Sequence, residues 1–408
     1  MASDRKRNSS MNHRLPAGIW ALGFVSLFMD VSSELIHSLL PVFMATTLGA
    51  SMIAIGFIEG IAEAAAAITK VFSGAISDFI RKRKILALLG YGLAAITKPI
   101  FPLANTLSWV VAARFIDRIG KGIRGAPRDA LVADISPPEQ RGAAYGLRQT
   151  LDSIGAFVGP LLAVAFMLWL ANDIRTVLWI AVIPAFISVG ILILGVHEPD
   201  RPPTQSRNAK SFILFRRARL LPRLYWLIVG LNAVFTLARF SEAFLILRAQ
   251  SVGLAIGFVP TIMIVMNIVY AATAYPAGVL TDRMRSRTLL ILGLAFLIVS
   301  DITLAAAASP FAVFAGAALW GLHMGLTQGL FSKLVADHAP VRLRGTAFGI
   351  FNLVGGATVL LASAIAGILW SVIGAPATFL TGAAFTFITM IGLILYGVFT
   401  PAVRKTKS

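Results

Sequence analysis

The 408-residue chain is 57% hydrophobic and only 13% charged, with a mean hydropathy of +0.82. Soluble domains carry about 25% charged residues, so this composition excludes a water-soluble enzyme or binding module. The net charge of +18 is spread over loops and chain ends, which argues against nucleic acid as the partner. The absence of cysteine excludes disulfides and thiolate chemistry.

Apolar stretches of about 20 residues, each able to cross a ~30 Å hydrocarbon core as a helix, recur along the chain. The first covers residues 17–43. It carries Asp30 and Glu34 and has no small-residue cleavage site, so it is expected to remain as an uncleaved first helix. Further spans are expected at 52–76, 85–104, 107–126, 142–168 and 175–195. A linker rich in Pro and Arg, 197–222, separates residues 1–196 from residues 223–408. The second part repeats the plan with spans at 223–248, 253–280, 288–308, 310–333, 345–370 and 376–399. Basic residues gather before the first span, between the second and third, in the linker and at the end, whereas 48–51, 103–108 and 308–311 are uncharged. The positive-inside rule then places both termini and the linker in the cytoplasm of a multi-pass inner-membrane protein.

Two phrases recur after roughly 200 residues, the mark of an internal duplication. Gly74-x-x-x-Asp78-x-x-Arg81 returns as Gly278-x-x-x-Asp282-Arg283-x-Arg285, and Asp134 with Arg141-Gly142 returns as Asp337 with Arg344-Gly345. The first phrase, continued by Lys82-Arg83, resembles the signature loop of the major facilitator superfamily. Phe79 departs from the usual Arg, which the second copy keeps as Arg283. Gly155-x-x-x-Gly159-Pro160 is similar to a motif of the drug/proton antiporter branch, with Ala163 where Gly is usual. This resemblance covers residues 17–400 and implies an all-α membrane protein. Its twelve transmembrane helices would form two pseudo-symmetric six-helix bundles. It further implies gating roles for Gly74, Asp78, Arg81, Arg141, Gly155, Gly159, Pro160, Asp282, Arg283 and Arg344.

Ionisable side chains inside membrane spans are costly, roughly 2.5–3.5 kcal/mol each, and so are functional candidates. The first half is rich in them: Asp30, Glu34 and His37; Glu59, Glu63 and Lys70; Arg114, Asp117, Arg118, Lys121 and Arg124; Arg148 and Asp152. Counting inward from the uncharged loops puts His37, Glu59 and Arg114 at one depth and Glu34, Glu63, Asp117 and Arg118 at the next. Asp30, Glu34, Glu59, Glu63 and Arg118 are the expected proton-coupling groups. Asp30 and Glu34, four apart on one face, would share a proton controlled by the nearness of Arg118. Lys70, Lys121, Arg148 and Asp152 read as static pairs. Substrate contacts are expected from Arg114, Asn232, Arg239, Glu242, His323, Gln328 and Asn352. Asp301 is a further charge in the second half.

No Gly-x-x-x-x-Gly-Lys-Ser/Thr loop or His-Glu-x-x-His pair is present, so energy is expected from an ion gradient and no enzyme activity, cofactor or metal is expected. The expected function is secondary active transport of a small organic solute by alternating access, as proton-coupled efflux. The alternatives are uptake of an anionic or zwitterionic metabolite, or a receptor that binds without transporting. The expected partners are a small-molecule substrate, protons and the lipid bilayer, with the protein a monomer.

Overall fold

The computed structural model describes residues 15–80, 82–198, 218–284, 286–340 and 343–399. Arg81 and the side chains of Asp78, Asp282 and Arg283 lie outside the described residues, as do both chain ends and most of the linker.

Among the described residues the fold is helical throughout, in twelve helical spans. The first six are α1 (Ala17–Val42), α2 (Met52–Ile80), α3 (Arg83–Thr97), α4 (Leu107–Ile135), α5 (Arg141–Trp169) and α6, which runs in two segments, Ile174–Ile180 and Val182–Gly195. The second six begin with α7, again in two segments, Arg223–Ala238 and Ala243–Ser251. They continue with α8 (Thr261–Arg283), α9 (Ser286–Ala306), α10 (Pro310–Thr327 and Leu330–His338), α11 (Arg344–Val372) and α12 (Ala375–Phe399). Eleven spans are long and apolar enough to cross a membrane. The twelfth, α4, is long enough but carries Arg114, Asp117, Arg118, Lys121, Arg124 and Arg128. It packs against α2 and α3, so all of those charges but Lys121 meet ion-pair partners in place of lipid, and Lys121 faces the cavity described below.

Of the expected continuous helices, α6 pauses at Ala181, and α7 and α10 break over two or more residues. In α10 the break falls at Gly329, whose φ of 71° is a left-handed conformation that glycine adopts without strain. In α7 the chain leaves helical geometry at Arg239, with no Gly or Pro to cause it. Tertiary bonds hold that break: the Ser241 N–H donates to Ser363 Oγ of α11, and Ser241 Oγ lies 3.4 Å from Glu59 Oε2 of α2.

Within the first half α1 packs on α5 and α6, and α4 on α2 and α3; within the second, α8 and α9 pack on α10, and α12 on α7 and α9. The halves meet through α2 on α11, α5 on α8, and α1 on the second segment of α7. Exchanging the halves turns the α2–α11 contact into the α8–α5 contact, the pairing a pseudo-two-fold predicts.

These contacts concentrate at the end away from the termini. A Cβ at Gly56 would stand 2.3 Å from the Ser363 carbonyl oxygen, and one at Gly367 would stand 2.4 Å from that of Met52. Only glycine allows α2 and α11 to approach this closely. Leu39, Phe43 and Met44 of the first half share one apolar core with Phe244, Leu245 and Met263 of the second. Nearer the termini, Ile19, Leu22, Tyr91, Leu131 and Leu192 form a separate core wholly within the first half. There, a Cβ at Gly146 or Gly345 would meet nothing within 4 Å. Among the described residues, the halves are joined at the end away from the termini and parted at the other.

Candidate functional site

A cavity of about 500 Å³ lies where the halves meet, lined from α1, α2, α4 and α5 on one side and α7, α8, α10 and α11 on the other. The first half contributes Glu34, His37, Glu63, Arg118, Lys121 and Ala156. The second contributes Thr236, Arg239, Phe240, Ser241, Glu242, Met263, Asn267 and Trp320, with Gly355 and Val359.

The ionic groups around it form layers. Deepest toward the joined end, Arg114 Nη2 donates to Glu59 Oε2 at 2.8 Å, and His37 Nε2 is 3.9 Å from the same oxygen. Glu59 is fully buried, so its charge is tolerable only because this guanidinium answers it. In the next layer Arg118 reaches Glu63 at 3.0 Å and His37 Nδ1 lies 3.4 Å from Glu34. Behind them Lys98 Nζ donates to Asp117 Oδ1 at 2.8 Å and to Ser33 Oγ at 3.1 Å, joining α3, α4 and α1. Toward the termini Arg124 is 3.9 Å from Asp30, Arg128 is 3.8 Å from Asp152, and Arg148 is bonded to Asp152.

Among the described residues, three charged cavity groups have no ion-pair partner within 4 Å: Lys121 on α4, and Arg239 and Glu242 at the α7 break. The Arg239 guanidinium instead lies over the Phe235 ring, 5.6 Å from its centroid.

A second cavity of about 440 Å³ adjoins the first, lined by Asp30, Gln149, Asp152, Phe157 and Tyr270 among others. Ala156 and Asn267 belong to both walls, and Asn267 Nδ2 donates to the Ala156 carbonyl across the α5–α8 contact at 3.4 Å.

A duplicated twelve-span helical bundle with a polar cavity between its halves agrees with the family comparison. The sequence pattern of the Major Facilitator Superfamily matches residues 22–266 and 233–408. The chain belongs to that superfamily. An uncharacterized MFS-type transporter of Methanocaldococcus jannaschii is 33% identical over 398 residues, covering 96% of this chain and 97% of the relative. The crystal structure of the nucleoside transporter NupG superposes with a TM-score of 0.76 at 14% identity, covering 92% of this chain and 99% of NupG. That of a peptide transporter, POT, with alafosfalin gives 0.77 at 14% identity, covering 94% and 95%. At such identities these structures establish the fold alone. The protein is a membrane transporter of the MFS type.

Within this superfamily frame the expected site residues separate. Glu34, Glu63, Arg118, Arg239 and Glu242 line the central cavity. Arg114, expected to contact substrate, is buried and occupied by Glu59. Asn232 and His323 are buried, and His323 Nδ1 bonds the Gly293 carbonyl. Gln328 and Asn352 are exposed and lie off the cavity wall. The expected Asp30–Glu34 pair is divided: Glu34 faces the central cavity beside His37, while Asp30 faces the second cavity beside Arg124. Arg118 is paired with Glu63, because α4 packs on α2.

Gly155 and Gly159 seat α5 on α1 directly behind those two carboxylates. A Cβ at Gly155 would stand 2.7 Å from the Leu27 carbonyl oxygen and 3.0 Å from Asp30 Cβ; one at Gly159 would stand 2.9 Å from Glu34 Cβ. Gly74 faces Ala126 of α4, Pro160 is buried within α5, and Arg141 and Arg344 are the exposed first residues of α5 and α11. Lys121 was expected in a static pair; it is exposed to the cavity without one. Lys98, Thr236, Ser241, Asn267 and Trp320 were not anticipated. A cluster of polar residues, Arg239, Ser241 and Glu242, inside an apolar run was the one available signal for the α7 break.

Proposed function

We propose that this transporter is a proton-coupled exporter of a small polar solute bearing an anionic group. It works as a monomer by alternating access in the inner membrane, with both termini and the linker in the cytoplasm. The observation that carries this reading is the charge balance of the central cavity. Glu63 is answered by Arg118 and Glu34 by His37, while Lys121 and Arg239, one from each half, have no carboxylate. An anion between them supplies the missing counter-charge, and it favours whichever state brings the halves together. Glu242, also without a partner, suits an amine on the same solute. A volume of about 500 Å³ is within the usual range for small-molecule sites.

Proton coupling follows from competition. The solute's amine needs Glu242 ionised, so a proton that reaches this carboxylate displaces the solute, and a newly bound solute displaces the proton. Glu63 with Arg118 and Glu34 with His37 are the neighbouring groups that receive the displaced proton. Asp30, facing the adjoining cavity, passes protons between these groups and the terminal side. Asp78, Arg81, Arg141, Asp282, Arg283 and Arg344 close the terminal side when the halves rock. The export direction rests on the resemblance of Gly155-x-x-x-Gly159-Pro160 to the antiporter motif.

The test uses purified protein in liposomes with an acidic lumen and a panel of radiolabelled zwitterions, monocarboxylates and organic cations. The expected result is accumulation of an anionic or zwitterionic solute in exchange for protons, abolished by the Lys121→Ala, Arg239→Ala double variant. Flux indifferent to the pH gradient, or selection of cations, would sink the proposal. Loss of preloaded solute from the lumen together with the protons would make the protein an uptake symporter.

A further inference from the structure

The second half contains a buried carboxyl that the charge balance of the cavities does not use. Asp301, on α9, is fully buried, and neither of its oxygens has a hydrogen-bond partner among the described residues. No ion-pair partner lies within 4 Å of it among the described residues. Its Oδ2 lies 2.8 Å from where a Cβ on Gly382 of α12 would stand, and Phe240 Cε1 lies 3.2 Å from the same point. The carboxyl therefore occupies a space that α12 leaves open by having glycine there. The ring beside it belongs to the α7 break and lines the central cavity.

We infer that Asp301 is a further proton site of the transporter, separated from the central cavity by the Phe240 ring. An ionised carboxylate in this place has no donor and no cation to face, so Asp301 keeps its proton in this state. Phe240 packs against Trp320, Phe379 and Phe244, with ring centroids 5.5–5.7 Å apart, and those rings keep water out. Arg239 and Glu242 flank the ring on α7, and neither is committed to an ion pair. When the α7 break shifts as the halves rock, the ring moves with it. The Asp301 proton then passes to cavity water, and Arg239 becomes the counter-ion of the carboxylate left behind.

The other ionisable groups on the packed elements do not take that part. His323 on α10 is bonded to Gly293. Arg248 on α7 donates to the carbonyls of Leu304, Ala305 and Ala307 at the end of α9. Tyr396 on α12 bonds His338.

This inference extends the proton-coupled reading and rests on it for its role in transport, but the site itself is tested without substrate. The full-length protein in liposomes is titrated between about pH 5 and pH 9 and followed by infrared difference spectroscopy in H₂O and D₂O. The wild type is expected to show a carboxylic-acid C=O band that falls on alkalinisation and is missing from Asp301→Asn. Phe240→Ala, which opens the cavity to the acid, is expected to move the midpoint of that band downward by a unit or more. A spectrum of Asp301→Asn identical to wild type would overturn the inference, as would an Asp301 band that keeps its intensity across the range in both wild type and Phe240→Ala. Loss of pH-driven flux in the wild type would defeat the proposed function and leave this band where it is, so the two failures are distinguishable.

Discussion

The two halves share a six-helix plan but hold their interiors together by different means. In the first half, buried charges are stacked in layers: Arg114 with Glu59, Arg118 with Glu63, Lys98 with Asp117, and Arg148 with Asp152. In the second half the corresponding space is filled by rings, with Phe240 against Trp320, Phe244 and Phe379, and Phe235 stacked on Phe331. Charge pairs are specific and depend on both members, because removing one strands the other in a medium that cannot solvate it. Ring contacts are individually weaker, and neighbouring rings can compensate for a loss. In the cycle proposed above, the first half then holds most of the charges that rearrange, while in the second the moving piece is the Phe240 ring at the α7 break.

The strongest way to break this contrast is Arg114→Met. It strands the Glu59 carboxylate and should cost about 3–5 kcal/mol, seen as a large fall in thermal stability in detergent and in membrane yield. Adding Glu59→Gln should restore much of it; no restoration would mean that the pair does not act as a unit. Next comes Gly367→Val, which sets a side chain against the Met52 carbonyl and should cost about 1–3 kcal/mol in the state with that end joined. Because the chain has no native cysteine, Val359→Cys can report this cleanly. Labelling of that cavity position from the joined side should rise at least tenfold in the Gly367→Val background, and unchanged labelling would count against the seam.

On the ring side, Phe379→Leu should cost under about 1.5 kcal/mol, since an apolar residue of similar size lets its neighbours close in. A loss as large as that of Arg114→Met would erase the distinction between the halves. The smallest effect is expected at Asp173, the exposed N-cap of α6, whose carboxylate accepts from Thr176 Oγ1 and from the Arg175 and Thr176 N–H groups. The Thr176 hydroxyl bond holds its pKa below the usual carboxylate value. The contribution should be complete above about pH 4 and lost as the pH falls through the lower folded value. Asp173→Ala should cost no more than about 1 kcal/mol near neutrality, with the difference from wild type vanishing in acid melts.

The fold was legible because the signals are long: a 20-residue apolar run and a repeated loop phrase survive uncertainty in any single position. The layers Arg114–Glu59 and Arg118–Glu63 were legible too, since depth in a membrane can be counted along a helix. Partner choice was not. Depth alone allowed Arg118 to face Asp30 and Glu34, whereas the packing of α4 on α2 gives it Glu63. The α7 break was hidden because its cause is the Ser363 hydroxyl, more than one hundred residues away in sequence. His323 and Asn232 looked like cavity residues because a helix wheel does not say which polar side chains neighbouring helices will bury away from the cavity wall.

The glycine seam between α2 and α11 has a consequence for how the molecule responds to heat. Where Gly56 and Gly367 bring backbone against backbone, joining the halves freezes no glycine rotamers at those positions. At the other end the exposed residues include Arg141 and Arg344, long side chains that each lose about 1.5–2 kcal/mol of rotational freedom when immobilised. Closing the terminal end is therefore the more entropically opposed of the two closures. Warming should shift the resting population toward the arrangement seen here, joined at the glycine seam and open toward the termini.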